Sequence, residues 1–210
     1  MERKDLLQGL RWFGHASFLW EVGGLCIYLD PWQLPKGVPK GDLVLITHDH
    51  YDHFSPDDVA TVVREGTRVV TVKDCAQKLA FPSRVIGPGE EVQLGKVTVR
   101  AIRAYNMGKP YHPKSKNWVG FVVLVEGRSL YHAGDTDHIP EMRAVEADVG
   151  LLPVGGTYTM NAEEAAAATK DMKLKVAVPM HWGRIVGSEA DARRFAEKAA
   201  VEVVILRAEG

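Results

Sequence analysis

The sequence predicts a mixed α/β fold, and three observations carry that expectation. Short apolar runs bounded by Gly, Pro and Asp fill the chain up to His132 and read as strands. From Ile139 onward, helical and strand-like patterns alternate. The 210 residues are 46% hydrophobic, enough to bury a sizeable core and in keeping with one domain over residues 1–210.

Taken in order, strands are expected at Leu10 to Phe13, Ser17 to Val22, Leu25 to Leu29 and Leu43 to Thr47, with a Pro/Gly-rich loop from Pro31 to Gly41. Ser55-Pro56-Asp57-Asp58 is a helix start: Ser55 can cap free amides, and Pro56 stands where its missing N–H costs nothing. That helix is expected to run to Arg64. Strands follow at Arg68 to Val72, Ser83 to Ile86, Val97 to Arg103, Val119 to Val125 and Ser129 to His132, with a short helix at Lys73 to Leu79. The last third reads as helix Pro140 to Val145, strand Val149 to Pro153, helix Ala162 to Met172, strand Val176 to Pro179, helix Ser188 to Ala199 and strand Val201 to Leu206. No repeat or linker interrupts it.

A formal net charge of -1 gives the chain no general attraction to nucleic acid or to an anionic membrane. Two cysteines, Cys26 and Cys75, have no nearby partner for a disulfide framework or a thiolate metal site, which suits a reducing compartment. The acids in Met1-Glu2-Arg3-Lys4-Asp5 break a signal-peptide pattern, and no apolar run is long enough to span a bilayer. The expectation is a cytoplasmic protein acting on a small molecule, with homo-oligomerisation left open.

The segment that carries chemistry is Leu43-Val44-Leu45-Ile46-Thr47-His48-Asp49-His50-Tyr51-Asp52-His53, where an apolar strand ends in three histidines and two aspartates. Residues two apart in an extended chain project to one side, so His48 and His50 can bind one ion together. The turn into the Ser55 helix can bring Asp52 and His53 to a second ion. Imidazole with carboxylate suits zinc, iron or manganese, and the lack of thiolates argues against a purely structural zinc. A solvated polar loop is the plain alternative. Three histidines within six positions, directly after a strand too apolar to be exposed, weigh against it.

Thr47-His48-Asp49-His50-Tyr51-Asp52-His53 resembles the metallo-β-lactamase superfamily signature, and further motifs follow in order. Asp135, in Tyr131-His132-Ala133-Gly134-Asp135-Thr136, matches the aspartate that bridges two metals, and His181, in Val178-Pro179-Met180-His181-Trp182, matches the late histidine of the second site. Phe13-Gly14-His15-Ala16-Ser17-Phe18 and Tyr28-Leu29-Asp30-Pro31 are similar to the branch containing ascorbate-6-phosphate lactonase and many uncharacterised hydrolases. The resemblance implies a four-layer αββα sandwich holding two divalent ions, zinc first, with manganese or iron as alternatives. One departure stands out. The superfamily supplies a third histidine to the first metal near Ala104-Tyr105-Asn106, and this chain has Asn106 there, with His112 six residues on. Either His112 swings in, or Asn106 or water fills the position.

Other residues have weaker claims. His15 either lines the pocket and donates to an oxyanion or packs under the sheet, and Asp30 is expected to accept a hydrogen bond from a ligand imidazole. His132 and His138 flank Asp135 and read as structural or surface residues. Asn106 to Lys116 holds three lysines and no acid; if Lys109 borders the metals, it suits a phosphate or carboxylate on the substrate. Tyr158 forms a pocket wall or merely a turn.

The resemblance implies hydrolysis of a lactone, ester or amide, phosphorylated or not, by a metal-bridging hydroxide that Asp52 orients. Phosphodiester hydrolysis is the alternative, as in related nucleases and in phospholipases of D-type specificity. A non-catalytic metal-binding protein is a third reading, which Asn106 keeps open.

Overall fold

The computed structural model describes residues 3–209, with side chains from Asp5 onward. Met1 and Glu2, part of the N-terminal stretch considered above, lie outside the described residues. The described residues form two sheets. The first contains β1 (Leu10–Gly14), β2 (Ser17–Val22), β3 (Leu25–Leu29), β4 (Leu43–Ile46), β5 (Arg68–Thr71) and β6 (Arg84–Val85), in that spatial order. The second contains β7 (Glu91–Leu94), β8 (Val97–Arg103), β9 (Val119–Val125), β10 (Arg128–His132), β11 (Glu146–Pro153), β12 (Lys173–Met180) and β13 (Glu202–Val203), ordered from β13 back to β7. The helices are α1 (Arg3–Leu6), α2 (Pro56–Val62), α3 (Lys73–Ala76), α4 (Ala162–Ala168) and α5 (Glu189–Lys198).

Each sheet joins an antiparallel half to a parallel half. Strands β3 to β6 run parallel, connected through α2 and α3. Strands β10 to β13 also run parallel, connected through a 3-10 turn at Pro140–Ala144, α4 and α5. Right-handed crossovers put all helices of such a run on one face of its sheet, leaving the other face for the opposite sheet. That is the αββα arrangement. Burial agrees: β4 is buried throughout, β11 is buried after Glu146, and one core cluster includes Phe18, Tyr28 and Leu45 from the first sheet with Phe121, Val123 and Tyr131 from the second. Each large side chain so buried contributes roughly 1.5–3 kcal/mol relative to exposure.

Local signals explain the ends. Ser55 Oγ accepts from Asp58 N, as its position ahead of Pro56 implies, but α2 stops at Val62 because Arg64 N turns away to Thr67 Oγ1. Asn161 and Glu164 form a reciprocal cap on α4. That helix ends four residues short of Met172, since Thr169 Oγ1 donates to Ala166 O and accepts from Ala200 N. Strand β7 lies outside the expected elements: Glu91-Val92-Gln93-Leu94 alternates polar and apolar residues, but over only four positions of a half-exposed edge. The segment Pro140–Ala144 is 3-10 rather than α, and the last strand keeps only Glu202 and Val203 of the run expected to reach Leu206. No helix among the described residues is long and apolar enough to cross a membrane.

The topology also fixes where chemistry can occur. In the first sheet β1, β3 and β4 share one direction, and in the second β8, β10 and β12 do. The segments leaving their C-terminal ends carry His15, Asp30, His48 to His53, His112, Asp135 and His181. Thr47 O accepts from Val119 N and His15 O from His181 N, which ties the two sheets together at this end.

Gly120 tests the close approach of β9 to the chain leaving β10. A Cβ there would lie 2.6 Å from the carbonyl oxygens of His132 and Ala133. Gly120→Ala is expected to lower stability by about 1–3 kcal/mol through overpacking, read as a reduced urea midpoint at unchanged slope.

Candidate metal centre

The segment after β4 builds most of the centre. His53 N and Phe54 N both donate to His50 O, a single helical turn that swings Asp52 and His53 back toward His48. His48, Asp52 and His53 are buried, while His50 stays partly open to solvent.

Two groups of four donors result. His48, His50, His112 and Asp135 form one, and His15, Asp52, His53 and His181 form the other, each with its donor atoms within 4.8 Å of one another. Asp135 stands between them. Its carboxylate oxygens lie 3.0 Å from His181 Nε2, 3.1 Å from His53 Nε2, 3.2 Å from His112 Nε2 and 3.9 Å from His48 Nε2.

Whether these residues suit a metal is decided by what those atoms lack. Nε2 of His48, His53, His112 and His181 and Oδ1 of Asp135 are buried with no aligned hydrogen-bond partner. Leaving one such group unpaired costs about 1–3 kcal/mol, so five converging on one place favour a ligand they can share. Nitrogen and carboxylate lone pairs converging on one volume suit a zinc-like divalent cation.

The other face of each imidazole is held by the protein. Asp30, buried and at φ 44°, accepts from His53 Nδ1 at 2.7 Å, from Thr47 N at 2.8 Å and from Thr47 Oγ1 at 2.7 Å. Because Thr47 Oγ1 donates to Asp30, it is left to accept from His48 Nδ1 at 2.9 Å. One carboxylate thus sets two imidazole tautomers, both presenting Nε2 to the centre. Trp118 packs its ring against His48, His50 and His112.

The departure at Asn106 is resolved by the loop that follows it. Asn106 N donates to His112 O, closing the loop, and Asn106 Oδ1 accepts from both the backbone N and Nδ1 of His112, each at 3.0 Å. Asn106 Nδ2 is occupied by Asp137 Oδ1 and Tyr158 O. Asn106 therefore offers no atom to a metal; it aims His112, which joins the first donor group.

His15 also has a different place from the pocket-lining one considered above. It is fully buried beneath Asp52, with Nε2 at 2.8 Å from Asp52 Oδ2 and its ring 3.8 Å from that of His181. With Nε2–H donated to Asp52, it steadies that carboxylate and cannot reach an oxyanion in the pocket. Lys109 is likewise withdrawn, its Nζ bound to Asp137 Oδ1 at 2.6 Å and to Thr159 O. Tyr158 does border the pocket, edge-on to Tyr111 at 4.7 Å. His132 donates from Nε2 to Ala16 O and accepts from Gly134 N, and His138 pairs with Asp171, so both serve the scaffold.

Among the protein groups alone, burial pushes His48 well below the usual imidazole range, His50 down, and His15 to about 4. Burial would raise Asp52, but the His15 hydrogen bond and the nearby His53 hold it at about 2. Burial would likewise raise Asp135; His181 and His53 overcome this and keep it far below the carboxylate range. Burial would lower His53 too, but Asp135 and Asp30 overcome it and hold this imidazole well above its usual range, so a metal ion binding there takes the place of a proton, whereas His48 and His50 are neutral and ready to bind.

The sequence carries the same conclusion. The profile of the Beta-lactamase superfamily domain matches residues 9–181. The chain belongs to the metallo-β-lactamase superfamily. A UPF0173 metal-dependent hydrolase of Thermoplasma volcanium is 32% identical over 203 residues, covering 90% of each chain. A candidate metal-dependent hydrolase of Parabacteroides distasonis superposes with a TM-score of 0.86 at 26% identity, over 95% of this chain and 93% of that one. A metallo hydrolase of the archaeon Ignicoccus hospitalis gives 0.78 at 29% identity, over 96% and 95%. As a superfamily member with such relatives, the chain is a metal-dependent hydrolase.

The aiming role of Asn106 is testable apart from catalysis. Asn106→Ala frees the His112 ring and is expected to weaken metal binding about 10–100-fold, measured by competition with a chromogenic chelator. Unchanged affinity would show that His112 needs no such support.

Proposed function

We propose that the protein hydrolyses a carbonyl compound, a lactone, ester or amide, with two divalent ions held in the two donor groups and Asp135 shared between them. The observation that carries this reading is the position of Asp135, within 3.0–3.9 Å of imidazoles from both groups at the floor of an open pocket. Zinc is the first choice for the ions, given the imidazole-rich, thiolate-free donor set, with manganese or iron as alternatives.

Bound divalent ions would supply Lewis acidity, making water acidic enough to attack at neutral pH and polarising the carbonyl oxygen. The chain's own residues do the rest. His48, His50 and His112 hold one ion from the β4 and β8 ends, while Asp52, His53 and His181 hold the other. Asp52 lines the pocket with one oxygen pinned by His15, so its remaining oxygen is fixed in direction and ionised. It can accept a hydrogen bond from the attacking water and so orient it, while the proton that water loses is delivered to the oxygen or nitrogen that leaves when the C–O or C–N bond breaks. His15 keeps this carboxylate from rotating. A phosphodiester is the competing substrate class, because two such ions would also meet the charge of a scissile phosphate; the apolar walls of the pocket, with no Lys or Arg among them, favour the carbonyl compound.

The test is turnover of ester, lactone and amide reporters by metal-loaded protein and by Asp52→Ala. Removing metal with a chelator is expected to abolish activity, and readdition to restore it. Asp52→Ala should lose about three orders of magnitude in kcat/KM, several kcal/mol of transition-state stabilisation, while keeping its unfolding midpoint within a few degrees. Wild-type activity in a folded Asp52→Ala would refute the assignment, as would a metal-loaded wild type that cleaves only phosphodiesters.

A further inference from the structure

The walls of the same pocket point to what the substrate carries beside its reacting bond. The pocket holds about 240 Å³ and is lined at its floor by His50, Asp52, His112 and Asp135, and around its sides by Tyr51, Tyr111, Tyr158 and Ile185. Of the six large hydrophobic side chains exposed among the described residues, three surround this one opening: Tyr51 at 68%, Tyr111 at 43% and Ile185 at 36%. A fourth, Met107, belongs to the loop that carries Tyr111. Isolated apolar groups on a surface need no explanation, but a cluster around a reactive opening marks a binding surface.

Two of these walls are buttressed. Tyr111 meets Tyr158 edge-on at 4.7 Å, and Tyr51 meets the buried Trp32 edge-on at 6.2 Å. Rings held in this way can receive another ring or a branched alkyl group at little ordering cost.

The cations that could answer an anionic substituent are engaged elsewhere. Lys109 is tied to Asp137 and Thr159 O, Lys114 to Glu141 and the Tyr105 hydroxyl, and Lys116 to Asp74. Arg184, next to Ile185, donates to Phe13 O and lies over the Trp32 ring, and it lines the cavity on the Trp12 side rather than this pocket. Metal ions at the floor can engage the bond being cleaved. A phosphate or carboxylate farther out would instead lose part of its hydration against tyrosine rings with no Lys or Arg in the lining to pair with it.

We infer that the pocket takes an uncharged substrate whose carbonyl is flanked by a compact aromatic or branched apolar group, seated between Tyr51 and the Tyr111–Tyr158 pair. The inference rests on the carbonyl-hydrolase reading for its reaction and on the pocket walls for its specificity. A volume of 240 Å³, below the range usual for drug-sized ligands, restricts that group to about one ring.

The test separates specificity from turnover. Protein shown by elemental analysis to carry metal is titrated calorimetrically with acetohydroxamate, phenylacetohydroxamate and 4-carboxyphenylacetohydroxamate, whose common metal-binding head leaves the walls to discriminate among the tails. The neutral phenyl compound is expected to bind about tenfold more tightly than either of the others. Tyr111→Ala should reduce that advantage over acetohydroxamate to less than about threefold, and Ile185→Lys should shift preference to the carboxylated analogue. Equal affinities, tighter binding of the carboxylate by wild type, or no binding of any of the three would overturn the inference. Tight, Tyr111-dependent binding of the phenyl compound by a protein that hydrolyses no ester, lactone or amide would uphold the specificity and refute the reaction.

Discussion

A buried carboxylate surrounded by four imidazoles organises this protein. Asp135 could not be desolvated alone, because an isolated buried charge costs several kcal/mol even after relaxation. It is tolerated because His48, His53, His112 and His181 lie around it, and their own unpaired nitrogens are tolerable only if cations complete the arrangement. The elements that supply these residues come from both sheets. The packing of one sheet on the other therefore brings the donors of the centre together, and metal binding should couple to folding.

Around that core the backbone is held in unusual conformations. His15, Asp30 and His181 all have positive φ, at 52°, 44° and 60°, where side chains other than glycine are disfavoured. Such residues cost about 1–3 kcal/mol each and persist only where the surroundings impose them. Here they stand on the segments leaving β1, β3 and β12, where the chain must turn sharply while still aiming a side chain at the centre. Glycine would relax each turn and remove the chemistry. Gly155 shows the complementary case: a Cβ there would fall 2.4 Å from His181 O, so the chain leaving β11 passes beneath His181 only because that residue has no side chain.

Much of this was legible in the sequence. The apolar run ending in Thr47-His48-Asp49-His50-Tyr51-Asp52-His53 shows both a strand and its candidate ligands, since period-two projection and a following helix cap are local properties. The third histidine was legible only as one of three alternatives, His112, Asn106 or water, because its position depends on a loop closed by Asn106 and His112 across six residues. The service of His15 to Asp52, a contact between residues 37 apart, was not legible. Lys109 misleads in the sequence for a related reason: a lysine in a loop without acids is in fact neutralised by Asp137, brought to it from the chain after β10. The apolar rim has the weakest signal of all, as Tyr51, Tyr111 and Ile185 come from three segments with no pattern linking them.

Metal stoichiometry bears most directly on the central claim that Asp135 joins two sites. Elemental analysis of protein purified without chelator and then reconstituted with zinc should give about two equivalents in the wild type and a marked loss from both sites in Asp135→Ala, because that carboxylate serves each. One equivalent in the wild type, or an Asp135→Ala variant that still binds two ions with unchanged affinity, would contradict the shared-carboxylate centre.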